Sequence, residues 1–151
     1  MTPDILASND KARYDYELLE KVEAGLVLSG QEVKSAKTGH MKLKGAHVAF
    51  TRGEAMLLGA HIARYPKAGP LPDYDPDRSR KLLLHKKELN RLRGKRDEDG
   101  LTIVPIRAYM VGGRIKIELA VARGKKQYEK RETIKKRDLE REARSRMKIR
   151  R

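Results

Sequence analysis

The strongest structural signal in the chain is a pair of apolar segments that flank two adjacent glycines. Residues 115–121 alternate apolar side chains with polar or small ones, which is the period expected of a strand that buries one face. The preceding segment 101–111, LTIVPIRAYMV, is rich in β-branched residues. Gly112 and Gly113 between them readily adopt the positive φ angles of a two-residue turn. We therefore predict that the two segments form a β-hairpin.

Further strand signals precede this hairpin. AHVAFT (46–51) and EAMLLGAHI (54–62) are separated by two turn residues and predict a second hairpin. Residues 22–28 are predicted to form a strand. Residues 16–21 allow either a strand or a helix, because their leucines also have helical spacing.

Two short helices are predicted from their start signals. Ser29 and Glu32 have the spacing of a capping box, and Gly39 is placed to end the helix that they begin. A second helix is predicted over residues 86–97, with His85 at its capping position. These helices are inserted between the strands.

The order of elements indicates an α+β protein that is mainly β. Four of the six prolines fall in residues 65–80, which predicts an extended surface loop. Five or so hairpin strands, few aromatic residues and no room for a second sheet layer favour a strongly curved antiparallel sheet. We expect a closed Greek-key barrel of the OB type, a fold that commonly binds oligonucleotides. The pattern alone leaves other α+β folds open.

Positive charge is concentrated at the C-terminal end. The chain has 36 Lys and Arg against 21 Asp and Glu, a formal charge of +15. Residues 123–151 hold fourteen of these cations against five acids. We therefore divide the chain into an RNA-binding barrel over 1–122 and a basic tail over 123–151. A polyanion is the expected partner, nucleic acid before a membrane surface.

The tail has too narrow an apolar stripe to dock on a core. Leu139, Ala143 and Met147 are spaced by four, but Ile134 and Tyr128 fall out of step. The remaining residues are good helix formers. We expect the tail to be disordered in the free protein and helical on an RNA surface. A solvated extension with nonspecific RNA affinity is the alternative.

The sequence gives no sign of chemistry. It has no cysteine, its four histidines lack close metal-ligand spacing, and no Gly-rich phosphate loop is present. We predict no metal, no cofactor and no enzymatic activity. No apolar run reaches the ~18 residues of a spanning helix, so we expect a cytosolic monomer without a membrane partner.

Four sequence blocks point to a known family. They are VEAGLVLSGQEVKSAKTG (22–39), GEAMLLGAHIA (53–63), RKLLLHKKEL (80–89) and GKKQYEKR (124–131). In this order they closely resemble the SsrA-binding protein family, the partner of transfer-messenger RNA in bacterial trans-translation. The resemblance extends from about Asn9 to Met147.

The resemblance implies a two-part function. The barrel would bind the tRNA-like domain of transfer-messenger RNA, and the pair would enter the A site of a stalled ribosome. The tail would lie as a helix in the vacant mRNA channel, where mRNA would compete for the same space. Its positive charge suits channel walls of ribosomal RNA.

The resemblance also implies site residues. Those assigned to transfer-messenger RNA are Asn9, Glu23, Leu83 and Gly124, together with His85 and Lys125. Those assigned to ribosomal RNA are Lys126, Tyr128, Lys130, Arg131, Ile134, Lys135 and Arg137. Tyr128 would stack on a decoding-centre base, Ile134 would be an apolar anchor, and the cations would contact phosphate.

Several of these residues also have a purely structural interpretation. Glu23 would accept hydrogen bonds from bases or pair with a nearby Lys. Leu83 would contact RNA or pack in the core, and Gly124 would allow close approach of RNA or merely end a strand. A helix cap is the first role predicted for His85. A protein that binds ribosomal RNA alone remains the competing function.

Overall fold

The computed structural model describes residues 4–98, 100–125 and 127–149. Within these residues the chain forms nine strands and four helices. The strands are β1 (Asp4–Ser8), β2 (Tyr16–Leu26), β3 (Met41–Lys42), β4 (His47–Thr51), β5 (Glu54–Leu58), β6 (His61–Ile62), β7 (Arg80–Leu83), β8 (Leu101–Val111) and β9 (Arg114–Gly124). The helices are α1 (Asp10–Asp15), α2 (Gly30–Lys37), α3 (Lys86–Arg96) and α4 (Gln127–Ile149).

The main sheet is antiparallel and has seven strands in the order β1-β8-β9-β2-β7-β5-β4. β3 and β6 form a separate two-stranded sheet. β8 and β9 form the predicted hairpin, and Gly112 and Gly113 at its turn have φ angles of 55° and 78°. The long strands β8, β9 and β2 lie side by side and form the central part of the sheet.

The other predicted strands are present with changed boundaries. β4 and β5 form the second hairpin, but β5 ends at Leu58 rather than at residue 62. Gly59 explains the break, because its φ is +81° and a Cβ there would lie 3.2 Å from the Gly45 carbonyl oxygen. The chain therefore turns at Gly59 before β6 begins. β2 spans residues 16–26. Residues 16–21, for which the sequence allowed either a strand or a helix, therefore belong to a strand.

The two predicted helices begin where their signals lie. In α2 the Ser29 backbone N–H donates to the Glu32 carboxylate over 2.9 Å, and the Glu32 N–H donates to Ser29 Oγ over 3.4 Å. This is the predicted capping box. α3 follows His85, but the His85 side chain makes no capping hydrogen bond. His85 therefore occupies the cap position without acting as a side-chain cap.

The sheet does not form the predicted closed barrel. Among the described residues, β1 and β4 are the two ends of the hydrogen-bonded order. The sheet curves until β4 lies beside β8. However, β1 already pairs with β8 over residues 107–110, and within the described part of the chain β4 pairs with β5 alone. The core lies inside this curve and includes Leu57, Ile103 and Ile117.

The Pro-rich segment is anchored at its C-terminal end. Residues 65–80 run over the surface as predicted, with a short 3-10 turn at Pro66–Ala68. Their last part, however, contacts a fully buried carboxylate, Glu32. The Arg80 guanidinium, also fully buried, donates to Glu32 Oε2 over 2.7 Å, and Arg78 donates to Oε1. Burial raises the pKa of Glu32, but hydrogen bonds from Arg78, the Ser29 backbone and Arg80 lower that pKa to about 2.

The basic tail forms α4, the helix predicted for its RNA-bound form, and the disorder predicted for the free protein stays a prediction. Its helix-forming residues, with Lys, Arg and Glu at helical intervals, account for a helix without a wide apolar face. α4 contacts α1, and the Arg137 guanidinium lies 5.8 Å from the centre of the Tyr14 ring. β9 continues to Gly124, so the strand extends two residues past the predicted barrel boundary.

Candidate nucleic-acid interface

An open groove of about 1030 Å³ lies on the outside of the sheet. β2, β7, β9 and the start of α3 form its walls. Three of the six residues that the sequence assigned to transfer-messenger RNA line this groove: Glu23, Leu83 and His85. They come from two separate sequence blocks, and the antiparallel pairing of β2 with β7 brings them together.

Glu23 faces outward because its neighbours on β2, Val22 and Ala24, pack in the core. Its carboxylate accepts a hydrogen bond from the Tyr109 hydroxyl of β8. The predicted alternative, an ion pair with a nearby Lys, is absent among the described residues. The nearest candidate along the strand, Lys21, contacts Glu118 instead, at 3.8 Å.

Leu83 is on the surface. It is 54% exposed, whereas Leu82 before it is 3% exposed and packs in the core. Gly25, its partner across the β2–β7 pair, makes room for its side chain, because a Cβ on Gly25 would lie 3.3 Å from Leu83 Cβ. The core interpretation therefore applies to Leu82 and not to Leu83. An exposed leucine in a groove is suited to contact a base or a sugar.

His85 is exposed at the rim of the groove. Since its ring makes no capping hydrogen bond, its nitrogens are not committed to the helix. Backbone contacts begin α3 instead, with the Leu89 N–H donating to the His85 carbonyl over 2.9 Å. The first predicted role of His85, a side-chain cap, is therefore wrong, and its second predicted role, contact with RNA, stays a prediction.

The other three predicted residues lie near α1. Asn9 is buried, donates from Nδ2 to the Pro105 carbonyl over 2.9 Å and accepts from the Ala12 N–H. It is the N-cap of α1. Lys125 donates from Nζ to the Arg13 carbonyl over 3.0 Å. Gly124 ends β9 in open space, where an added Cβ would meet no atom of a non-adjacent residue within 4 Å.

Within the second group, Gly124 and Lys125 lie at the opposite end of β2 from Glu23. Gly124 pairs with Tyr16, and Glu23 lies seven residues further along the same strand. At about 3.3 Å per residue, Gly124 and Glu23 are therefore roughly 23 Å apart along the strand. An RNA that contacts both would have to follow the outer face of the sheet.

The tail residues are described only in part. Lys126 lies outside the described residues, as do the side chains of Tyr128 and Lys130. Arg131 and Lys135 are exposed on α4, and Ile134 is 41% exposed.

Sequence reasoning did not find Tyr109 and Gly25. Burial raises the pKa of the Tyr109 phenol, and its hydrogen bond to Glu23 raises it further, to about 12. Tyr109 therefore stays protonated and donates at neutral pH. A glycine inside a strand pattern is a general signal of close approach by another group, and Gly25 carries that signal.

The described residues contain no group of three His, Cys, Asp or Glu side chains placed to hold a metal ion. In the same part of the chain, none of the helices has the length and apolar character that a membrane crossing requires.

The chain is similar in sequence to known proteins of one family. The family model described as SmpB protein matches residues 6–149. The SsrA-binding protein of Solidesulfovibrio magneticus is 51% identical over 139 residues, covering 92% of this chain and 90% of the relative. That of Coprothermobacter proteolyticus is 51% identical over 147 residues, covering 97% and 98%.

A solved structure is also similar. It is described as "tmRNA-SmpB: a journey to the center of the bacterial ribosome", and one of its chains matches with a TM-score of 0.67 and 48% identity. The match covers 80% of this chain and 84% of that one. Both the sequence and the fold therefore place the protein in one family: the chain belongs to the SmpB family of SsrA-binding proteins.

Proposed function

We propose that this protein binds the tRNA-like domain of transfer-messenger RNA and delivers it to the A site of stalled ribosomes for trans-translation. The observation that carries the proposal is the meeting of Glu23, Leu83 and His85 in one exposed groove. The relatives that share the sequence and the fold are SsrA-binding proteins and a tmRNA-SmpB structure.

The groove suits selective recognition of RNA. It combines a carboxylate, an exposed leucine and an imidazole, none of which is a simple phosphate ligand. A carboxylate repels phosphate but accepts hydrogen bonds from base amino and imino groups. Phosphate contacts would come from surrounding cations such as Arg114 and Lys116, which line the same groove.

The second group gives a further contact region. Gly124 would let the RNA backbone approach the end of β9 closely. Lys125 would contact phosphate beside it, while Asn9 holds α1 in place through its internal hydrogen bonds. In this proposal Asn9 supports the RNA-binding surface by fixing the start of α1.

The tail would act separately, on the ribosome. The cations Lys126, Lys130, Arg131, Lys135 and Arg137 would contact ribosomal RNA along the empty mRNA channel, with Tyr128 stacked on a decoding-centre base and Ile134 as an apolar anchor. The exposure of Arg131, Ile134 and Lys135 on α4 supports this role. We further propose that the tail exchanges between a disordered form in the free protein and the helix on the ribosome.

The remaining features belong to the same proposal. The body, residues 1–122, would function as an OB-type RNA-binding unit, and the approach of β4 to β8 supports this comparison. The protein would act as a cytoplasmic monomer, without catalysis or cofactor. Its role is to bind and position RNA.

A binding titration tests the proposal. The protein is titrated with the tRNA-like domain, with ordinary tRNA as competitor, at several salt concentrations. We expect a preference for the tRNA-like domain that persists as salt rises, because hydrogen bonds to bases depend less on salt than phosphate contacts do. Equal affinities that fall together with salt would instead support a protein that binds ribosomal RNA alone.

A further inference from the structure

Two carboxylates lie directly opposite each other on the outer face of the sheet. Glu23 of β2 pairs in register with Glu118 of β9. Like charges in this position destabilise a sheet unless neighbouring groups compensate them. The two carboxylates are compensated in different ways, and the difference suggests what each one does.

Glu118 is compensated by cations. Arg107 Nη2 lies 3.2 Å from Glu118 Oε2, and Lys21 Nζ lies 3.8 Å from Oε1. The Glu118 side chain is largely buried between them. Its charge is therefore balanced within the protein. Its Oε1 accepts no hydrogen bond among the described residues, but this oxygen is buried and so is not accessible to a ligand.

Glu23 is compensated differently. Among the described residues it has no cationic partner, and its one hydrogen bond comes from the neutral hydroxyl of Tyr109 to Oε2. The second oxygen, Oε1, accepts no hydrogen bond within the described part of the chain. Glu23 is exposed and lines the groove, so this oxygen is accessible from the groove.

Tyr109 is suited to hold the carboxylate in one orientation. Its ring is buried, with 7% of the residue exposed, so the hydroxyl has a fixed position. Burial and the contact with Glu23 raise the pKa of Tyr109 to about 12, and the phenol remains a donor throughout the physiological pH range. One carboxylate oxygen is thus fixed and the other is free.

We infer that Tyr109 is a positioning residue, which orients Glu23 so that its free oxygen accepts a hydrogen bond from a base amino or imino group of the bound RNA. The inference rests on the proposed function and adds to it the chemical class of the group recognised. Glu23, which has no cationic partner among the described residues, repels phosphate at this point, so a base edge rather than the backbone is expected there.

The test is a double-mutant cycle on the full-length protein, with the tRNA-like domain and ordinary tRNA as probes. Tyr109→Phe removes the hydroxyl and keeps the buried ring. We expect it to lower affinity for the tRNA-like domain about five- to tenfold, which is within the range of one typical hydrogen bond. Because no phosphate contact changes, the slope of log affinity against log salt should stay the same.

Two further variants make the result specific. In a Glu23→Ala background the hydroxyl has no carboxylate to orient, so Tyr109→Phe should change affinity by less than about twofold. Tyr65→Phe is the matched control, since the Tyr65 hydroxyl makes no hydrogen bond within the described residues, and it should leave binding unchanged. Thermal unfolding of each variant confirms that its fold is intact.

The outcomes separate the inference from the function on which it rests. An equal loss for Tyr109→Phe in both backgrounds would show that the hydroxyl acts on structure and not through Glu23, and would overturn the inference. So would full affinity of the single variant. If the unaltered protein itself shows no preference for the tRNA-like domain, the proposed function fails, and the inference fails with it.

Discussion

The groove and the tail helix α4 offer an RNA opposite kinds of surface. The groove lies on a sheet whose strands are fixed by pairing, and its distinctive residues are a carboxylate, a leucine and a histidine. α4 carries exposed cations and touches the body mainly near α1. Fixed uncharged or anionic groups discriminate between RNAs, whereas exposed cations supply affinity that depends on salt. The proposed function therefore divides the work, with selectivity in the body and contact with ribosomal RNA in the tail.

The largest effect is expected when the tail is removed from the body. Truncation after Lys125 removes α4 and keeps β9 whole. It should abolish peptide tagging on stalled ribosomes, while affinity for the tRNA-like domain at ~0.2 M salt falls by less than about tenfold, because exposed cation contacts are largely screened there. Tagging is measured in a reconstituted translation reaction.

Tyr128→Ala is the smaller counterpart of that truncation. Loss of tagging with unchanged RNA affinity would support a stacking role on the ribosome.

If the truncated protein still tags stalled peptides at the normal rate, the tail has no role in sensing the channel.

The next largest effect concerns the stability of the body, measured as its free energy of unfolding. Glu32→Gln removes the buried charge that pairs with Arg78 and Arg80, and should cost about 3 to 5 kcal/mol of unfolding free energy. Glu54→Gln breaks an exposed ion pair with Lys81 and should cost less than about 1 kcal/mol. Denaturant unfolding measures both. Equal costs would mean that the buried network does not hold the Pro-rich segment to the body.

Lowering the pH should destabilise the folded protein through the same buried network. The pKa of Glu32 is lowered from 4.5 to about 2 in the folded protein. Folding therefore stabilises the deprotonated carboxylate of Glu32 relative to the protonated carboxyl group. The stability from this group is present above pH 4.5 and is lost as pH falls towards 2. The slope of stability against pH between these values should decrease in Glu32→Gln. An unchanged slope would contradict the assignment.

A smaller effect should come from the floor of the groove. Gly25→Ala places a methyl group 3.3 Å from Leu83 Cβ and should displace that leucine. Selective affinity should fall about fivefold, the equivalent of one apolar contact. Gly30→Ala, at a position with open space around it, is the control and should bind normally. Normal binding by Gly25→Ala as well would remove Leu83 from the recognition surface.

The smallest effect should come from single tail cations. Lys135→Gln should lower the slope of log affinity against log salt for ribosomal RNA by about one, uniformly across RNA sequences. Lys67→Gln, in the Pro-rich segment, should leave that slope unchanged. Sequence-dependent losses for Lys135→Gln would mean that the tail reads bases, contrary to the assignment of selectivity to the body.

Local signals in the sequence predicted much of the fold. The glycine pair at 112–113 and the alternation of β9 predicted the central hairpin, and the capping box at Ser29 predicted α2. These features depend on neighbouring residues alone. β1 and α1 were not predicted, since residues 4–15 hold no strong periodicity. Whether the sheet closes into a barrel depends on how far it curves and on which strand pairs with the outer edge of β8. No local sequence pattern predicts either of these.

The site was predictable only as separate residues. The resemblance supplied Glu23, Leu83 and His85, but their meeting in one groove depends on the pairing of β2 with β7. The exposure of Leu83 beside a buried Leu82 follows from strand alternation, which does not say which of the two faces inward. Tyr109 lies 86 residues from Glu23, so their hydrogen bond is visible only in the folded chain.

The most direct test of the division between body and tail is a selectivity measurement on two proteins, the full chain and the chain truncated after Lys125. The ratio of affinities for the tRNA-like domain and for ordinary tRNA is determined for each across a range of salt. We predict the same ratio for both proteins at every salt concentration, with only the absolute affinities lowered by truncation. A ratio that falls to one when the tail is removed would contradict this division, because selectivity would then reside in α4.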